Sequence, residues 1–105
     1  MSEQLTKDHF EPYVNESFQI TLSEEHVIEA TLHSVRSLGK REPSDLPWLQ
    51  NIRLESFVLL FLLPLEANFQ QGNFNLSHEK MGEFVIFLVP VGMDTKSRYY
   101  EAVFN

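Results

Sequence analysis

Phe57-Val58-Leu59-Leu60-Phe61-Leu62-Leu63 and Phe84-Val85-Ile86-Phe87-Leu88-Val89-Pro90-Val91 are strand-length runs with apolar residues at odd and even positions alike. Successive side chains of a strand point to opposite faces, so a strand with one wet face alternates apolar with polar. These two runs do not alternate. Each therefore calls for two covers: a core behind it, and a second layer, subunit or partner in front. If Phe57, Leu59 and Phe61 face the core, Val58, Leu60 and Leu62 face outward. If Phe84, Ile86 and Leu88 face the core, Val85, Phe87 and Val89 face outward, and the opposite assignment leaves a similar set.

The flanking sequence supplies the remaining elements. Leu5-Thr6-Lys7-Asp8-His9-Phe10 reads as a helix start, with Thr6 as cap, Asp8 and Glu11 in the first turn, and Leu5 placed to staple onto Phe10. Pro12 and Asn15 limit it to one or two turns, enough to cap one end of a barrel or sandwich. Ser17 to Leu22 alternates, with Phe18, Ile20 and Leu22 inward. After a turn at Ser23-Glu24-Glu25, His26 to Leu38 reads as a strand with Ile28, Ala30 and Leu32 on one side. Its β-branched Val27, Ile28, Thr31 and Val35 favour strand over the rival helix. Gly39 to Asn51, with Pro43, Pro47 and Trp48, reads as a long loop, and Arg53 to Leu63 as the strand that follows it. Asn73–His78, Glu83–Val91 and Arg98–Phe104 read as consecutive hairpin strands, an antiparallel meander. The last of them sets Tyr100, Ala102 and Phe104 against Tyr99, Glu101 and Val103. Six strands with short connections predict a mostly β fold, a small antiparallel six-stranded barrel with a short N-terminal helix, in one domain over residues 1–105. A two-sheet sandwich is the alternative. Closure removes edges that would otherwise pair with other chains.

Composition excludes several functions. A net charge of −7 disfavours binding to nucleic acid and to anionic membrane surfaces. With no cysteine there is no disulfide framework, thiolate nucleophile or cysteine-ligated metal. The N-terminus lacks the basic and apolar regions of a signal peptide, and the run Phe57–Leu65 is too short to cross a bilayer as a helix. A soluble, cytoplasmic protein is expected.

Several segments carry a resemblance. They are Leu5-Thr6-x-x-x-Phe10, Phe57-x-Leu59-Leu60-Phe61, Gln71-Gly72-x-Phe74-x-Leu76-x-His78, Phe87-Leu88-Val89-Pro90-Val91-Gly92-x-Asp94 and Arg98-Tyr99-Tyr100-Glu101-Ala102-Val103-Phe104-Asn105. Together the chain resembles a family of small bacterial domains of unknown function, along nearly its whole length. The Val-Pro-Val-Gly turn and the Tyr-Glu-Ala-Val-Phe-Asn terminus are the most specific parts. The resemblance implies no activity and no site residue. It implies an accessory or assembly role beside phage-tail-like structures. Lys40–Asn51 is longer than the family leads one to expect.

No constellation of residues announces chemistry. His26 and His33 are an odd number of residues apart, hence on opposite faces of one strand, and neither His9 nor His78 completes a ligand spacing. Folding could gather His33, His78 and Glu79, but nothing in the sequence requires it. The carboxylates fall in turns, at the helix start and at outward positions, which reads as a solvated surface rather than a facing acid pair. Asp94 reads as closing its own turn. No serine has the setting of a nucleophile, and no glycine-rich loop cradles a phosphate. The expectation is no catalytic residue, no metal and no cofactor.

What remains is surface. Large apolar patches are rare on monomers. The outer set Val58, Leu60, Leu62, Val85, Phe87 and Val89 is therefore expected to be an interaction surface, joined by Trp48 unless that side chain packs its loop onto the core. The loop and the N-terminal helix are the rival cover. The expected function is a non-enzymatic protein-interaction or assembly module, most simply a homo-oligomer with two-fold dimer symmetry, with a further protein partner open. The alternative is a small-molecule-binding barrel, or a hydrolase-type enzyme using His33 or His78.

Overall fold

In a computed structural model, which describes residues 5–40 and 55–104, both doubly apolar runs are strands of one closed sheet. The strands are β1 (Ser17–Ser23), β2 (His26–Lys40), β3 (Glu55–Pro64), β4 (Gly72–His78), β5 (Gly82–Met93) and β6 (Ser97–Phe104). They close into a barrel in the order β1-β2-β3-β6-β5-β4, every pairing antiparallel. The barrel, not the sandwich, is the fold. It consists of two three-strand meanders, β1-β2-β3 and β4-β5-β6, joined by the β3–β6 and β1–β4 seams.

The inward positions follow the alternation. Phe18 and Ile20 of β1, Ala30 and Leu32 of β2, and Phe57, Leu59, Phe61 and Leu63 of β3 are buried. So are Leu76 of β4, Ile86 and Leu88 of β5, and Tyr100 and Ala102 of β6. A barrel of six strands is narrow, and these large side chains fill it. That leaves little of the wide, small-residue lining that a ligand-holding barrel needs.

β2 departs from the simple pattern. Leu32 pairs with Phe61 and Ser34 with Leu60, so His33 is an extra, bulged residue. A bulge shifts the two-residue period by one. Ile28, Ala30 and Leu32 therefore face the core before it, and Val35, opposite Leu59, after it. A second irregularity between Ser37 and Gly39 shifts the pairing again, where Gly39 takes a positive φ of 142°. Gly39 and Lys40 thus belong to the strand rather than to the expected loop. Trp48 and residues 41–54 lie outside the described residues.

Each end of the barrel has its own plug. At one end the chain enters through a single helical turn, α1 (Lys7–Phe10), continued by a 3-10 turn at Glu11–Tyr13. The Thr6 N–H donates to His9 Nδ1 at 3.0 Å, and the Thr6 carbonyl accepts from the His9 N–H at 3.0 Å. Such a short helix is stable only through what it buries. That residue is Phe10, fully buried, whose ring lies 6.0, 5.7 and 5.7 Å from those of Phe57, Phe84 and Phe104. At the other end the connection from Leu65 to Gln71 crosses from β3 to β4 and carries buried Ala67 and half-buried Phe69. Tyr100 pins it, its hydroxyl donating to the Phe69 carbonyl (2.8 Å) and accepting from the Phe69 N–H (3.2 Å). Arg98 Nε adds a 2.6 Å bond to the Leu65 carbonyl.

Candidate functional surface

With the inward set fixed, the outward set follows from register. On β3 it is Val58, Leu60 and Leu62, opposite Val103, Glu101 and Tyr99 of β6. On β5 it is Val85, Phe87 and Val89, and Val89 pairs with the other side of Glu101. Apolar residues thus predominate at the outward positions of the three strands β3, β6 and β5, with Val85 and Phe87 paired to Asn75 and Asn73 of β4. Val85 is 60% exposed, Val103 49% and Phe87 46%, while Leu60, Leu62, Tyr99 and Val89 are half-buried. Val58 differs from the expectation of an open outer position: it is only 5% exposed, yet it stands outside the core cluster.

The other half of the wall is polar. Gln19 and Thr21 of β1 pair outward with Ser77 and Asn75 of β4 on one side, and with Glu29 and Val27 of β2 on the other. β2 adds exposed His26, His33 and Arg36 and two exposed apolar side chains, Val27 and Leu38.

Two carboxylates share the outward positions of these strands, exposed Glu83 at the start of β5 and Glu101 of β6. Glu101 is half-buried, with Leu60 and Val89 beside it and Tyr99 and Val103 two residues away along its own strand. It makes no hydrogen bond and no ion pair among the described residues. Arg98, on the same strand, is committed to the Leu65 carbonyl, and Arg36 lies across β3, opposite Val58.

The histidines separate into structural and exposed ones. His26 and His33 are exposed, and His9 completes the helix cap. His78 is buried, its side chain 3% exposed, with ring contacts to Tyr13 at 4.5 Å and Phe18 at 4.6 Å. Its Nε2 meets Glu16 Oε1 at 2.8 Å, and its Nδ1 faces the N–H groups of Lys80 and Met81 at 3.0 and 3.3 Å. Two donors aimed at Nδ1 assign it as the acceptor and place the proton on Nε2, where it is donated to Glu16. A histidine beside a carboxylate is the arrangement the enzyme reading asks for. Here both ring nitrogens are already engaged, so the ring has no free lone pair to act as a base. Its role is to tie the β4–β5 turn, with Gly82 at φ 80°, to the approach of β1. The burial was readable from period two, because Phe74, Leu76 and His78 share a face.

Two other features complete the polar inventory. Asp94 closes the β5–β6 turn as expected, its Oδ1 accepting from the N–H groups of Lys96 and Ser97, each at 2.8 Å. Its other oxygen accepts from the Tyr99 hydroxyl. The Tyr99 bond, followed by the backbone bonds, holds the Asp94 carboxyl below its ordinary range, and the same bond raises the Tyr99 phenol. Glu11 is likewise held low by Lys7, 2.7 Å away. Beside α1 an open hollow of about 240 Å³ is lined by Leu5, His9, Tyr13, Lys80 and Met81. Among the described residues no three His, Asp or Glu side chains converge as metal ligands, and no helix is long and apolar enough to cross a membrane.

Residues 5–104 match the family described as a domain of unknown function, DUF6916. No curated protein and no solved structure matches the chain. The match spans nearly all of the sequence, and the chain belongs to that family.

Proposed function

We propose that this member of the DUF6916 family is a non-enzymatic protein-interaction or assembly module whose contact surface is the outer face of β3, β6 and β5. One observation supports the reading: outward side chains are mostly apolar on these three strands, with Glu83 and Glu101 as the exceptions, and polar on β1 and β4. Sorting of that kind costs solubility and adds nothing to a core already filled from the inside. Covering Val85, Phe87 and Val103 would recover the hydrophobic free energy their exposure forgoes. Trp48 is proposed as a second contact, on its residue type alone.

The cover can be a second copy or a different protein. A two-fold dimer is the simplest closed arrangement. The narrower role, accessory to a phage-tail-like structure, rests on the family resemblance and is proposed only as such. Light scattering on the eluting protein at tens of micromolar measures self-association. Affinity capture from the native host, run in parallel with wild type and with a Leu60→Glu, Phe87→Glu variant, identifies other partners. The reading predicts that the variant keeps its circular dichroism and loses what the wild type binds, copies included. Retention of every partner by a folded variant contradicts it.

A further inference from the structure

We propose that the hollow beside α1 is a binding site for a small organic carboxylate with a short apolar tail. The space, about 240 Å³, is lined by Leu5, His9, Tyr13, Lys80 and Met81. Its lining divides by chemistry. Lys80 brings an ammonium, Tyr13 a hydroxyl and His9 an imidazole, while Leu5 and Met81 are half-buried apolar side chains packed against the core. His9 is a donor in this setting. Its Nδ1 accepts the Thr6 N–H at 3.0 Å, so the proton of the neutral ring sits on Nε2, and the charged ring carries one there as well. Among the described residues no Asp or Glu lines the space. Glu11 is bound to Lys7 and Glu16 to His78, and Glu79, next to Lys80 in the chain, is not part of the lining.

The walls are held in place without a ligand. Lys80 and Met81 belong to the β4–β5 turn, and their N–H groups donate to His78 Nδ1 at 3.0 and 3.3 Å. Tyr13 lies against the same histidine, with ring centroids 4.5 Å apart, and the helix cap fixes His9. Walls that are already ordered lower the entropic cost of binding. The donor set selects the headgroup. One ammonium matches one negative charge, and the Tyr13 and His9 donors can fill further lone pairs of a carboxylate. Leu5 and Met81 select a tail. Inorganic phosphate would leave them uncovered, and a neutral ligand would leave Lys80 without a counter-charge. The volume lies below the roughly 300–1,000 Å³ of sites for drug-sized ligands, so the ligand is small. The net charge of −7 repels anions at long range, but salt screens that repulsion beyond about 8 Å, and the contacts in the hollow decide.

The test titrates hexanoate, hexanamide, acetate and inorganic phosphate into full-length protein carrying labelled methyl groups. The Leu5 and Met81 methyls report the hollow, and the Val85 and Val103 methyls report the outer sheet face. Hexanoate is expected to shift the first pair saturably and to bind about tenfold tighter than hexanamide, which keeps the tail and loses the charge. Acetate, which keeps the charge and loses the tail, should bind more weakly than hexanoate. Lys80→Gln should remove the preference for hexanoate over hexanamide, and Lys80→Arg should restore it. Tyr13→Phe should weaken hexanoate by about threefold. Circular dichroism checks that each variant is folded. Equal binding of hexanoate and hexanamide, or an unchanged preference in folded Lys80→Gln, overturns the proposal. So do phosphate binding as tightly as hexanoate, shifts confined to the outer face, and no shifts at tens of millimolar hexanoate. None of these outcomes bears on the β3–β6–β5 surface, which the capture experiment tests.

Discussion

The two halves of the barrel wall are alike inside and unlike outside. Ile20 on β1 and Leu59 on β3 are equally buried in the same core. Their outward neighbours differ: Gln19 and Thr21 on one strand, Leu60 and Leu62 on the other. Folding needs only the inner pattern, since both halves close the barrel with the same ladder of hydrogen bonds. The outer difference must then be explained by something other than the stability of the lone chain.

The strongest way to break this comparison is to cut into the core from each half. Ile20→Ala and Leu59→Ala should each lower stability by about 2–5 kcal/mol in urea denaturation. A loss confined to Leu59→Ala would mean that the polar half does not share the core. Next in size is His78→Gln, which perturbs the acceptor for the Lys80 and Met81 N–H groups and should cost about 1–3 kcal/mol. Nitrogen shifts of His78 should report a proton on Nε2 and none on Nδ1, and the opposite tautomer would refute the turn-fixing role.

Smaller effects on folding are expected outside. Phe87→Glu on the apolar half and Gln19→Glu or Asn75→Glu on the polar half should each change stability by about 0.5 kcal/mol or less. Association, read by affinity capture, should fall with the first and not with the other two. Equal effects from both halves would erase the distinction. The smallest change concerns the β5–β6 turn. The Asp94 carboxyl is lower in the fold than in the unfolded chain, so its contribution is complete above the ordinary carboxylate range. It disappears as pH falls through the lowered native value. The Tyr99 phenol is raised, so its contribution is complete below the ordinary phenol range and disappears as pH rises through the raised value. Tyr99→Phe should weaken both limbs of the stability–pH curve, and an unchanged curve would show that the bond contributes nothing in solution.

The inner pattern was legible in the sequence wherever a strand keeps strict register. Phe18-x-Ile20-x-Leu22 and Tyr100-x-Ala102-x-Phe104 needed only the two-residue period. The bulge at His33 was not legible, because no residue type announces an unpaired position and the period simply slips there. The strand order was legible only in its hairpins. The β3–β6 and β1–β4 seams join distant segments and depend on closure of the whole sheet. The outer apolar residues could be named from the doubly apolar runs, yet Glu101 at the middle of their face could not be placed. It is one of many carboxylates until β6 is known to lie between β3 and β5. Val58, expected outside and found buried, marks where alternation alone fails to predict exposure.

The most direct test asks whether the apolar half of the wall is covered at work. A photoreactive amino acid is placed at Phe87 or at Gln19 in the full-length protein, expressed in its native host and irradiated. The account predicts a discrete cross-linked product from position 87 and none from position 19. Equal products from both positions, or none from position 87, would contradict it.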